Sequence, residues 1–340
     1  MTLKRSPRRN FQAVRKKLKA PIRVGHSVGH SEGSTRDQEM LVRAVWLESP
    51  PPVRGRSELE GALRVARRNG IEGRLARAYP KLLRSELARA NERAAAFRGN
   101  LAQSTRRLLG AGVQPVLIKA SGDDYTYSNF DLVVGDEAWT RAIEALEGWG
   151  SRYSTRRVEP GKVLVHPDAG PAAHLHREVS WFGVPVISSQ RLMSRSTRVE
   201  GETWWLAKPE DELRITFAHA AFQTLALELG ELISVRDLLR PPTLEEARAE
   251  AKSEGWGHGF ERVLALAFAA KRRLDTGEAP CLPVPLPLSG SLAIGLEHAA
   301  HLWRLRERRL AARETALRMP LIAAKRRRLL LGREAAAASG

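Results

Sequence analysis

The chain has 340 residues, of which 43% are hydrophobic, enough to fold around a core. Its 56 Lys and Arg against 38 Asp and Glu leave a net charge of +18, which favours polyanionic partners such as nucleotides, nucleic acid or acidic lipid, although an Arg- and Ala-rich composition gives the same excess. Cys281 is the only cysteine, so an intrachain disulfide and a thiolate metal cluster are excluded and a reducing cytosol is expected.

Residues 1–35 read as a flexible basic tail. Nine Lys or Arg and no acid fall between Met1 and Arg23, a pattern suited to holding polyanions. No apolar segment follows these basic residues as in a secretory signal. Nowhere does an apolar run approach the ~18 residues that span a bilayer. A helix is expected over Asp37–Glu48, stopped by Pro50, Pro51 and Pro52. Another runs over Ser57–Asn69 and opens on the capping pattern Ser57-x-x-Glu60. From Leu83 a long helix carries Leu87, Ala90, Ala94, Phe97, Leu101, Ser104 and Leu108 in one stripe, closed by Gly110 and Gly112. Strands are expected at 113–119, 130–134, 162–166 and 173–181, with a helix over 136–149. From Pro209 the chain is helical again, with Leu213, Phe217, Ala220, Ala221 and Leu225 on one face. A break at Pro241 and Pro242 precedes a helix capped by Thr243-x-x-Glu246, and another spans Phe260–Leu274. Pro283, Pro285 and Pro287 make a polyproline-like connector. The last helix runs from about Ser291 to Arg318, before Pro320 and a basic C-terminal tail.

The fold class is therefore α+β, a small mixed sheet flanked by N-terminal helices and a helical C-terminal half. The expected division is a tail over 1–35, N-terminal helices and α/β unit over 36–205, helical domain over 206–320 and basic tail over 321–340.

The densest chemistry lies in Val113–Val134, VQPVLIKASGDDYTYSNFDLVV. An apolar strand ends in Lys119, a polar loop follows, and a second strand opens on Asn129-Phe130-Asp131. Residues i and i+2 of a strand share a face, so Asn129 and Asp131 lie side by side with Phe130 turned away. Acidic groups at that spacing typically hold a divalent cation, which in turn holds a triphosphate. Here one of the two is an amide. The pair His174 and His176 has the same spacing and suggests zinc, but no third ligand is evident beside it. Other chemistries find no support. There is no Gly-x-x-x-x-Gly-Lys-Ser/Thr loop and no Gly-x-Gly-x-x-Gly. Gly25-His26-Ser27-Val28-Gly29 has no preceding strands to make it a nucleophile elbow.

The segment Leu117-Ile118-Lys119-Ala120, followed by Ser128-Asn129-Phe130-Asp131-Leu132-Val133-Val134, resembles a bacterial family of the DNA polymerase β-like nucleotidyltransferase superfamily. Members read Leu-Lys-Gly and then Ser-Asp-x-Asp-Leu-Leu-Val. The likeness continues through His174-Leu175-His176, where members have Asp-Leu-His. It extends through Leu206–Asp211, His219-Ala220-Ala221 and Val235–Leu239. The resemblance implies transfer of a nucleoside monophosphate from an NTP to an unknown acceptor, with Mg²⁺ as cofactor. Asp131 matches the second acid of the strand pair, and Asn129 stands where the first would be. His174 stands where a third acid is expected. Lys119, with Ser121 and Gly122 of the loop, would hold phosphate. Asp123 and Asp124 are either replacement metal ligands or turn residues beside Gly122. His219 and Asp237 match positions in the helical half, and either pair as a buried brace or reach the cleft. With this degenerate acid set, a second reading keeps the fold and drops the chemistry, leaving a protein that binds nucleotide or nucleic acid.

Overall fold

A computed structural model describes residues 34–119, 129–154, 161–181 and 183–337. Residues 1–33 lie outside them, as do Ser121, Gly122, Asp123 and Asp124. The fold below is that of the compact unit Gly33–Arg328.

Helix α1 (Thr35–Val45) starts two residues before the expected position because Ser34 and Asp37 form a capping box. Asp37 accepts the Ser34 backbone N–H at 2.9 Å, and the Ser34 hydroxyl accepts that of Asp37 at 3.3 Å. The pattern at Ser57 is not a cap. Ser57 lies within a 3₁₀ turn, Arg56–Leu59, and α2 follows at Glu60–Arg68. Helix α3 (Glu72–Ala78) leads to the long α4 (Arg84–Gly110), where Leu101, Ser104 and Leu108 of the stripe are buried. Gly112, at φ 70°, turns the chain into the sheet.

The α/β unit comprises β1 (Val116–Ile118), β2 (Asn129–Val133), α5 (Trp139–Glu147), β3 (Ser151–Ser154), β4 (Lys162–His166) and β5 (Ala172–His176). The expected strand over 173–181 is two strands. β6 (Val179–Trp181) leaves the sheet to form a hairpin with β7 (Val184–Ile187), joined through Gly183 at φ 71°. Helix α6 (Ser189–Arg195) and short strands β8 (Thr197–Arg198) and β9 (Trp205–Leu206) complete this part. The main sheet has the order β3-β4-β5-β2-β1-β9-β8. β1 and β2 are antiparallel, whereas β2 and β5 are parallel, with Asp131 opposite His174.

Alternation along these strands separates two cores. Phe130, Leu132, Ala173 and Leu175 pack with Leu101 and Leu108 of α4 and Leu146 of α5. Each large side chain buried there contributes roughly 1.5–3 kcal/mol. Val116, Ile118 and Val133 point the other way, into a second cluster built from the N-terminal helices and the C-terminal half. Asp131, His174 and His176 lie on that second face, set by the period of two.

The C-terminal half comprises α7 (Pro209–His219), α8 (Leu229–Val235), α9 (Pro241–Ser253), α10 (Gly257–Asp275), α11 (Leu288–Arg304) and α12 (Arg308–Ala337). Pro241 and Pro242 begin α9 rather than break the chain before it, since the first helical turn needs no N–H from them. The proline-rich segment contains a strand, β11 (Val284–Pro285), paired with β10 (Ala226–Leu227). The expected last helix is two helices, separated at Arg306 with φ 64°. Pro320 lies inside the second of them, α12.

A π-turn, Ala220–Thr224, extends α7, and Leu225 ends it at φ 57°. Arg318 of α12 braces this turn: its Nη2 donates to the Ala221 carbonyl at 2.7 Å, and its guanidinium lies 4.6 Å from the Phe222 ring centre. Buried Glu314 neutralises it at 2.8 Å. A second buried arginine, Arg214 of α7, pairs with Asp211 and with Glu254 at 2.7 Å.

Candidate metal and phosphate site

The parallel pairing of β2 with β5 brings three of the expected residues onto one spot. Asp131 Oδ1 accepts from His176 Nε2 at 2.7 Å and from His174 Nδ1 at 2.8 Å. The Asn129 amide reaches the same oxygen at 3.4 Å. Asp131 Oδ2 lies 3.3 Å from Lys119 Nζ. The two imidazole rings sit 4.2 Å apart. Asp131 is thus the third group that the histidine pair lacks in the sequence. Neighbouring strands supply it, 43 residues from His174.

The electrostatics follow from burial and partners. Burial alone would raise the Asp131 carboxyl, but Lys119 and the donors from His174 and His176 hold it well below the usual range. Burial and the neighbouring His174 push His176 down to about 3, so it is neutral at physiological pH. A donor hydrogen on His174 Nδ1 leaves a lone pair on Nε2, which is buried without a hydrogen-bond partner. One ligand atom from each of Asp131, His174 and His176 lies within 4.8 Å of the other two. The group could therefore hold a metal ion.

Lys119 adopts φ 57°, a left-handed conformation that costs a non-glycine residue roughly 1–2 kcal/mol. Its backbone N–H donates to Glu212 Oε2 at 3.2 Å, tying the end of β1 to α7. This conformation sets the lysine side chain beside Asp131.

His219, at the end of α7, pairs with Glu231 Oε1 at 2.7 Å. It does not pair with Asp237, so the expected brace is not formed between those two. Asp237 falls on the 3₁₀ turn Arg236–Leu238 that follows α8, with its side chain 89% exposed beside Arg236. His219 nevertheless belongs to the site's surroundings, since both Lys119 and Asp131 act on its charge.

Sequence reasoning missed several neighbours. Lys162 is opposite His176 in the β4–β5 register and buried, with its Nζ 5.5 Å from the Trp181 ring centre. Trp181 donates to Gln223 at 2.8 Å and lies 6.4 Å from the His219 ring. The pattern of β4 could have revealed Lys162, because it opens a strand whose next three residues are apolar. Gln223 and Glu231 carry no local signal and reach the site through the π-turn and the start of α8.

No protein-family model matches this chain, and no curated protein matches it.

Proposed function

We propose that this chain is a metal-dependent nucleotidyltransferase of the DNA polymerase β-like superfamily, moving a nucleoside monophosphate from an NTP to an acceptor hydroxyl or phosphate. The observation that carries the reading is the cluster Asp131–His174–His176 beside Lys119, on two parallel strands and the end of the antiparallel strand next to them. The register adds support: Asp131 faces His174, the position at which the resemblance expects the third acid.

The donor set alters the expected ion. One carboxylate and two imidazoles suit Zn²⁺ or Mn²⁺ better than Mg²⁺, which prefers oxygen ligands. The orphaned Nε2 of His174 fits a ligating role. A bound ion supplies Lewis-acid neutralisation of the phosphates. Asp131, His174 and His176 would hold it. Lys119 would supply a second positive charge to the phosphates, on a strand end fixed by Glu212. Neutral His176, protonated on Nδ1, would offer its Nε2 lone pair to the ion in place of the hydrogen bond to Asp131. The net charge of +18 suits an anionic nucleotide and a polyanionic acceptor, nucleic acid among them.

Calorimetric titration of the purified chain with Zn²⁺, Mn²⁺ and Mg²⁺, followed by ATP, tests this. Tighter binding of Zn²⁺ or Mn²⁺ than of Mg²⁺ is expected. Asp131→Asn should abolish it, with ATP affinity falling in parallel. Metal uptake unaffected by Asp131→Asn would refute the site.

A second reading, nucleotide binding without transfer, is favoured by one observation. Asn129 and His174 leave Asp131 as the single carboxylate of the cluster among the described residues. Pyrophosphate release from bound ATP separates the two.

A further inference from the structure

The thin acid set raises a specific chemical problem. Transfer requires that the acceptor hydroxyl lose its proton as it attacks the α-phosphate. Two-ion sites accomplish this with a second metal, held by additional carboxylates. Asp131 is the only carboxylate of the cluster among the described residues, so the proton needs another destination.

We infer that His219, oriented by Glu231, is the general base for the acceptor, an assignment that rests on the reading above. The His219 Nδ1–H donates to Glu231 Oε1 at 2.7 Å, which leaves the Nε2 lone pair available. Among the described residues the His219 side chain makes no further hydrogen bond; its backbone carbonyl accepts from the Thr224 hydroxyl at 3.4 Å. Glu231 is itself fixed, because its Oε2 accepts the backbone N–H of Glu228 at 2.9 Å in the capping box that opens α8. The carboxylate is therefore held by the fold from one side and orients the imidazole from the other. This is the base-and-orienter arrangement that positions a proton acceptor.

The placement relative to the phosphate site agrees. Lys119 is tied through its backbone N–H to Glu212 of α7 at 3.2 Å, and His219 lies seven residues, two turns, further along that same helix, on the same face. Trp181 stands 6.4 Å from its ring on the β6–β7 hairpin. His219 is thus carried by the helix that holds the strand end bearing Lys119, and it feels both Lys119, which would meet the phosphates, and Asp131, which would hold the ion. Burial and Lys119 lower its pKa against the opposing pull of Glu231 and Asp131, so the imidazole is neutral and able to accept a proton at neutral pH.

The step balances. The acceptor O–H bond breaks and its proton passes to His219 Nε2. The freed oxygen pair forms a bond to the α-phosphorus. The bond from the α-phosphorus to the bridging oxygen breaks, and its electron pair leaves with pyrophosphate. Glu231 stays ionised and stabilises the imidazolium, which then returns the proton to solvent. Glu231 is a positioning residue in this scheme, and His219 is the catalytic one.

The test uses the full chain, Mn²⁺ and ATP, with water as acceptor. His219→Gln should reduce pyrophosphate release by about 10²–10⁴-fold, the usual range for a lost general base. Its affinities for Mn²⁺ and for ATP, measured by calorimetry, should stay within about threefold of wild type, since it holds neither. Glu231→Gln should reduce the rate and lower the His219 pKa read by NMR titration of the metal-free protein, because the stabilising charge is gone. Glu231→Asp should recover part of both. A His219→Gln rate equal to wild type overturns the inference and leaves the proposed activity standing. Wild-type protein that binds Mn²⁺ and ATP but releases no pyrophosphate overturns the base assignment and favours the binding-only reading. Absence of Mn²⁺ and ATP binding in wild type overturns both.

Discussion

Lys119→Met separates two effects that a simple loss of function would merge. The lysine Nζ stands 3.3 Å from Asp131 Oδ2, and both side chains are largely buried. At an effective dielectric of about 20 their attraction is roughly 5 kcal/mol, much of it offset by desolvation. Removing one partner of a buried pair typically costs about 3–5 kcal/mol. Here the low end is expected, since Asp131 keeps donors from His174, His176 and Asn129. Methionine retains the side-chain length and inherits the same backbone strain at φ 57°, so strain cancels in the comparison. Metal binding should move the other way. A divalent ion on Asp131 would sit about 5 Å from the ammonium, a repulsion of roughly 2 kcal/mol even in a water-like dielectric. The variant should therefore bind Zn²⁺ or Mn²⁺ about ten- to thirtyfold more tightly while losing thermal stability. ATP alone should bind at least about tenfold more weakly, because a charged hydrogen bond to phosphate is gone. Paired calorimetry and thermal melts read all three. Unchanged or weakened metal binding would refute the idea that Asp131 is shared between lysine and ion.

Three further outcomes are expected. Asn129→Asp places a second carboxylate beside Asp131 in exchange for an amide donor. It should lower the melting temperature of the metal-free protein yet tighten metal binding by about tenfold or more, as calorimetry would show. His298, buried against Phe222 and near Arg318, is pushed down to about 3 by burial and by that arginine. Below about pH 6.5 the unfolded chain takes up a proton that the native state refuses, so stability should fall by up to about 1.4 kcal/mol per pH unit from that residue. Denaturant melts of His298→Leu at pH 6 and pH 4 should show a shallower decline than wild type, and equal slopes would count against the burial argument. Deleting residues 1–23 removes nine positive side chains, and the salt dependence of binding to a DNA oligonucleotide should flatten by roughly 0.7–0.9 per lost phosphate contact.

The strands carrying the site were legible because their alternation is strong. Phe130 and Leu132 against Asn129 and Asp131 specify opposite faces without any tertiary information. The pairing of β2 with β5 was not legible, because strand adjacency depends on the crossover between them rather than on local pattern. That is why the histidine pair lacked its third group in the sequence. Helix ends failed where one chemistry admits two positions. Ser57-x-x-Glu60 has the capping pattern, yet the adjoining 3₁₀ turn takes it over, whereas Ser34-x-x-Asp37 uses a shorter acid and forms the cap. Pro320 stops no helix, because packing of Glu314, Arg318 and Ile322 continues across it. His219 was found, but its partner Glu231 was not. Asp237 matched the family's order, and only the turn after α8 shows that it faces outward.

The Arg318 brace has a consequence for synthesis. The turn that follows His219 has a carbonyl, that of Ala221, answered by a side chain 97 residues further along. Until that arginine has been made, the Ala221 carbonyl lacks this partner and Phe222 the cation over its ring. The sheet that carries Asp131, His174 and His176 is translated well before then. A growing chain should thus acquire its metal ligands early and the braced turn after His219 late. An ion captured during translation would meet Asp131, His174 and His176 before that turn is braced, whereas the braced turn would exist only in chains read through past Arg318.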